Sequence, residues 1–148
     1  MKKIKFMAAT ICIVLSAFGV FLIGCNPPPP PPIPEDGADI IIIVGDYRFE
    51  LNTHERYLKG AILELVEYKD IVFEYSNHSW GVMVDRIGDL VNGYDGAWLI
   101  LHLDYNNPAW ATPDTYVLDG ITFFSANVGI SDMPVIDGVA YLFVLMSF

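Results

Sequence analysis

The chain is 148 residues long with a formal net charge of −10 and a 53% hydrophobic composition. That length suffices for one ordinary domain after any targeting segment, and not for two. Its acidity repels phosphate backbones and anionic lipid surfaces, which excludes nucleic acid as a partner class.

The chain opens with Lys2, Lys3 and Lys5, followed by an apolar stretch over 7–22 broken by Thr10, Ser16 and Gly19. A basic start and a short apolar run are the pattern of an export signal, so 1–24 reads as a signal helix. The alternative, an uncleaved membrane span, needs about 20 apolar residues. Leu22-Ile23-Gly24-Cys25 resembles the lipobox of bacterial lipoproteins, with a small residue just before the cysteine. The resemblance implies that Cys25 is acylated, palmitate included, and becomes the first residue of the mature chain. Multiple acyl chains, at about 0.8 kcal/mol per buried CH₂, give stable anchorage. Cys12 leaves with the signal, so no internal disulfide supports the fold. The location implied is the extracytoplasmic side of the cell membrane.

Residues 25–37 form a linker. Pro27 to Pro32 favour polyproline II, a rod that rises about 3.1 Å per residue and acts as a spacer. The remaining 38–148 is a single domain. Once the signal is removed, five cations face eighteen acids, a formal charge of −13.

The domain begins with a β-branched run, Ile40 to Val44, that reads as a buried central strand. Gly45-Asp46 turns the chain into Tyr47-Arg48-Phe49-Glu50-Leu51, which alternates like a half-buried strand, making a hairpin. Asn52 and Glu55 suggest a capping box. The apolar spacing of Leu58, Ala61, Ile62 and Leu65 predicts a helix over 55–68, despite Gly60 in its interior. Short strands are expected at 71–75, 82–87, 97–103, 121–126 and 139–146. Asn77-His78-Ser79 is expected as a turn, and 88–96 and 104–120 as loops.

The order of a hairpin, one helix, Trp80-Gly81-Val82 before a strand ending Ile87-Gly88, a strand bearing Trp98, Val128-Gly129-Ile130 and a closing Asp137-Gly138-strand resembles the transcobalamin-like C-terminal domain. The family is β-grasp-like, a mixed sheet packed on one helix. Strand and helix order alone give the same α+β class. The segment 104–120 stands out as an insertion relative to that pattern.

Catalytic groupings are scarce. His78 and Ser79 are adjacent, so an extended chain sends them to opposite faces. His54, His78 and His102 are far apart, and Asp89, Asn92 and Asp95 lack calcium-loop spacing. No catalytic residue, metal ligand or cofactor is therefore assigned, and the chain reads as non-enzymatic. Trp110 lies in a stretch with two prolines and two asparagines and no apolar periodicity. It is the leading candidate for ligand contact, with Trp80 and Tyr105 beside it. The resemblance implies a corrinoid such as cobalamin, or a similar flat small molecule, as the ligand. A structural or protein–protein module of the cell envelope is the competing reading.

Overall fold

The computed structural model describes residues 28–147. The signal segment and Cys25 lie outside the described residues. No described helix is long and apolar enough to cross a membrane.

Strand β1 (Ala38–Val44) alternates as its sequence dictates. Ala38, Ile40, Ile42 and Val44 are buried on one face, and Ile43 is buried on the other. It pairs antiparallel with β2 (Tyr47–Thr53) through the expected hairpin. The far edge of β1 pairs parallel with the last strand, β9 (Ala140–Met146). The sheet runs β2-β1-β9-β6-β8-β7, where β6 is Trp98–Leu103, β7 is Ala111–Leu118 and β8 is Ile121–Ala126. A hairpin, a helix and a last strand parallel to the first make the fold α+β and β-grasp-like, a mixed sheet on one helix. A second sheet, β3-β4-β5, comprises Phe73–His78, Gly81–Ile87 and Leu90–Val91.

Helix α1 (Leu58–Tyr68) buries Leu58, Ala61, Ile62 and Leu65. That i, i+3, i+4, i+7 stripe faces the main core with Ile40, Ile42, Tyr141 and Phe143. The helix starts three residues later than expected, and its N-cap, Tyr57, makes no side-chain cap. Carbonyls of a distant loop satisfy its first amides instead. Leu58 N–H donates to Met133 (2.9 Å) and Lys59 N–H to Ile130 (3.0 Å). Asn52 belongs to β2 and donates to Asp39, while Glu55 N–H donates to Thr53 Oγ1, so the Asn52–Glu55 box does not form. A Cβ at Gly60 would meet only the Glu55 side chain, which is exposed and able to move aside.

The expected loop over 104–120 is corrected by β7, which pairs antiparallel with β8. One feature hid it. Thr112-Pro113-Asp114 interrupts the register between Ala111 and Thr115, and proline is tolerated because β7 is an edge strand. The hairpin turn is Asp119-Gly120, with φ of 51° and 79°. Two positive φ values in a two-residue loop suit Asp-Gly in a type I′ turn.

Smaller corrections concern the second sheet. Asn77 and His78 end β3, so the turn is Ser79-Trp80, and the segment 88–96 contains β5 and a 3₁₀ turn, Tyr94–Gly96. The linker is also less detached than its composition implies. Ile33 packs against the main core, and Gly37 N–H closes a turn on the Pro34 carbonyl.

Candidate functional site

The two sheets do not close fully on each other. Between β4 and β6 lies a cleft of about 240 Å³, lined on one side by Val82 and Val84 and on the other by Leu99 and Leu101. Ala126, Val128 and Gly129 form its third wall. No lining residue is ionisable, so the cleft suits uncharged, apolar groups. Asn92 contributes an amide to the lining, and its Oδ1 accepts the Leu99 N–H at 2.9 Å.

Trp80 lines the same cleft and is 68% exposed. One face of its indole is stacked on His78, with ring centroids 4.7 Å apart and planes 3° from parallel. The β3–β4 turn produces this: His78 ends one strand, Trp80 sits in the turn, and Gly81 takes φ 134° to start the next. An aromatic ring held on one face and open on the other is a ready platform for a planar or apolar group.

The structure separates the three aromatic candidates. Trp80 is at the cleft, but Trp110 and Tyr105 are not on its lining. Trp110 is only 5% exposed, part of the main core and stacked on Tyr105 at 6.4 Å. Its backbone is held by Asn107 and Asn127, and Asn127 also ties down the Pro108 carbonyl. The asparagines and prolines that looked like a presenting loop instead fasten the tryptophan into the fold. Trp110 is therefore corrected from a contact residue to a core residue, and Tyr105 is its packing partner. None of Asn92, Leu99, Leu101, Val128 and Gly129 is a contact candidate from sequence: Asn92 enters only as a rejected calcium donor, and Val128-Gly129 only as part of the family resemblance. Only the glycine-rich loop around Asn92 carried any signal, and it did not specify a direction.

A serine, a histidine and an aspartate do meet beside the cleft. Ser76 Oγ is 2.9 Å from His78 Nε2 and donates to Asp85 Oδ1 at 3.1 Å. With the serine's one proton directed to the carboxylate, the bond to Nε2 is made by the ring N–H, and in that tautomer the imidazole donates to Ser76. The serine that His78 meets is Ser76, two residues away on the same face, and not Ser79. The arrangement fixes the ring on which Trp80 stacks.

His102 lies elsewhere, on the opposite face of the sheet. It is 1% exposed beside Tyr116, its Nδ1 has no hydrogen-bond partner, and desolvation holds its pKa below the ordinary value. Among the described residues no group of three or more His, Cys, Asp or Glu side chains is placed to hold a metal ion.

The chain matches no protein-family model and no curated protein. Among solved structures it is similar to a protein of Ruminococcus gnavus ATCC 29149 described as a "putative metal binding protein". The two share 19% identity with a TM-score of 0.50, over 77% of this chain and 99% of the other. At that identity the likeness shows the fold alone.

Proposed function

We propose that this chain is a membrane-anchored, extracytoplasmic lipoprotein whose domain is a non-enzymatic binding module, and that the cleft between its sheets is the binding site. The observation that carries the site is an uncharged cleft with a two-thirds exposed tryptophan at its lining. The anchor rests on Gly24-Cys25 after a basic and apolar start. The resemblance to the transcobalamin-like domain supports a corrinoid as the ligand. A pocket that encloses a drug-sized ligand spans about 300–1,000 Å³. A corrin macrocycle would therefore lie across Trp80 at the mouth, with one peripheral apolar group in the cleft. Equilibrium dialysis against cobalamin tests this. Retention by the wild-type chain that is lost in Trp80→Ala supports the corrinoid, and no retention by either removes it.

A second reading, a protein–protein module of the envelope, is favoured by a different observation: among the described residues β7 ends the main sheet as an edge strand, and an unpaired edge is a template for pairing with another chain.

A further inference from the structure

The core side of the β1–β2 hairpin is not covered to its tip. Alternation puts Tyr47, Phe49 and Leu51 on one face of β2, opposite Val44, Ile42 and Ile40 of β1. Phe49 and Leu51 pack on the main core, but α1 stops at Tyr68 and Tyr47 is left 60% exposed. The space beyond the helix end is a pocket of about 440 Å³, with the buried Val44 at its base. The chain leaving the helix, Lys69 to Val72, forms one wall, and the β4–β5 turn at Gly88-Asp89 forms another. Gly88 N–H donates to the Val72 carbonyl at 2.8 Å, joining the two walls, and Arg86 Nε donates to the Gly88 carbonyl at 3.0 Å. Gly88 takes φ 56°, a conformation that favours glycine. With both of its backbone groups bonded, it fixes where Asp89 stands. None of the residues around this pocket lines the Trp80 cleft, so both can be filled at once.

We infer that this pocket is a second ligand site, for a small organic monocation with an alkylated ammonium group of the choline type. Two features select positive charge. Tyr47 and Phe49 are stacked, with ring centroids 6.5 Å apart and planes 19° from parallel, and aromatic faces attract cations. The lining also carries two carboxylates, Asp70 and Asp89, against one ammonium, Lys69, a formal sum of 1 − 2 = −1. Lys69 is exposed at the C-cap of α1, where the helix dipole favours a cation, and it borders a neighbouring recess with Glu50. One added positive charge balances the lining, whereas an anion would meet both carboxylates and a strongly acidic chain. The walls also ask for an apolar shell on that charge. Val44, Ile71 and Val72 would pack on methyl groups, which a hydrated metal ion or bare ammonium does not offer. Small-molecule sites span about 300–1,000 Å³, so the pocket has room for a trimethylammonium group and a short substituent. It opens away from the linker. Ala38 begins β1 and Val44 ends it, about 20 Å further on at roughly 3.3 Å per residue. Its facing away from the membrane rests on the anchor proposed at Cys25, but the pocket itself does not. That orientation favours a free solute over a headgroup of the membrane that holds the chain.

The test titrates the ¹⁵N-labelled full chain, in maltoside micelles that carry no ammonium group, while its amide shifts are followed. The probes are choline, phosphocholine, and dimethylbutanol, the neutral isostere of choline with carbon in place of nitrogen. Choline should shift the amides of Ile71, Val72, Gly88 and Asp89 and leave those of Val82 and Leu101, in the Trp80 cleft, in place. The neutral isostere has the same shape without the charge and should bind about tenfold more weakly. Equal binding of the two overturns the selection for charge. Phosphocholine should also bind more weakly than choline, because its phosphate meets Asp70 and Asp89. Tighter binding of phosphocholine overturns the free cation in favour of a headgroup. Tyr47→Leu keeps an apolar side chain but loses the ring, and should weaken choline about fivefold, while Tyr47→Phe retains the affinity. Tyr47 is exposed, so both variants should melt with the wild type. Unchanged affinity in Tyr47→Leu overturns the role of the ring. If choline shifts none of the pocket amides, the site is overturned, and the cleft at Trp80 stands or falls by its own dialysis.

Discussion

The Tyr141 hydroxyl donates to the Pro134 carbonyl at 2.7 Å and accepts the Ile136 N–H at 2.9 Å, in a side chain with no solvent exposure. This one group joins the central strand β9 to the segment whose Met133 and Ile130 carbonyls cap α1. The sheet, the loop and the helix start are thereby held in one arrangement, although the loop has little regular structure of its own.

Tyr141→Phe keeps the ring and removes both bonds, leaving a buried carbonyl and a part-buried amide unpaired. Each such group costs about 1–3 kcal/mol. A lower denaturant midpoint with an unchanged slope is the expected result, and a midpoint within error of wild type would show that the bonds hold nothing in place. Burial raises the phenol's pKa well above its ordinary value of 10. The folded state therefore keeps this proton longer than the unfolded chain, and stability falls as pH climbs above 10.

His102 sets a pH dependence of the opposite sense. Its folded pKa lies below 6.5 because burial disfavours the imidazolium. Below about pH 6.5 the unfolded chain binds the proton and the folded chain does not, so stability declines as pH falls, by at most about 1.4 kcal/mol per pH unit. His102→Leu removes this contribution. Subtracting the variant's stability profile from that of wild type between pH 7.5 and 5 should leave a downward slope toward acid. A flat difference would mean that the buried ring accepts its proton without penalty.

The docking of the linker makes a third expectation. Ile33 is partly buried against the main core. A polyproline spacer with no role in folding would be indifferent to Ile33→Asp. Here the substitution moves a charge onto apolar surface and should destabilise by about 1–2 kcal/mol, the scale of losing a partly buried aliphatic side chain. Thermal melts of the two chains decide it.

The parts of the fold that the sequence reveals are those where one force dominates. The β-branched run of β1 and the apolar stripe of α1 each announce an element because burial alone dictates the pattern. Strand β7 is illegible because it is an edge strand whose first half breaks register at Thr112-Pro113-Asp114 and exposes Pro113 and Asp114. Asp119-Gly120 was the available clue, a hairpin dipeptide between alternating segments. The α1 start was misplaced because its cap comes from residues over seventy positions away. The cleft was invisible for a related reason: it is the gap left where β8 parts from β6, and a missing pairing has no sequence signature.

The anchor has its own check. Acylation of Cys25 precedes removal of the signal in the lipoprotein pattern that 22–25 resembles. Cys25→Ser should then accumulate as an unprocessed chain about two dozen residues longer, resolved on a denaturing gel. Wild-type chain recovered outside the cell without detergent would remove the anchor.

The two tryptophans that composition made look alike should behave in opposite ways. Trp110, at 5% exposure, is surrounded by core, so Trp110→Ala leaves a large cavity and should cost about 3–5 kcal/mol. Trp80, at 68% exposure, supports little of the core. Trp80→Ala forfeits its stack on His78 and should change stability by no more than about 1 kcal/mol. Binding should follow the reverse order: Trp80→Ala weakens retention of a cleft ligand, whereas Trp110→Ala, at temperatures where it stays folded, retains it. Denaturant midpoints and dialysis on the same two variants give both columns of the comparison. If Trp110→Ala is as stable as wild type, the packing of the 104–110 segment is wrong. If Trp80→Ala binds normally, the cleft reading loses the aromatic platform on which it stands.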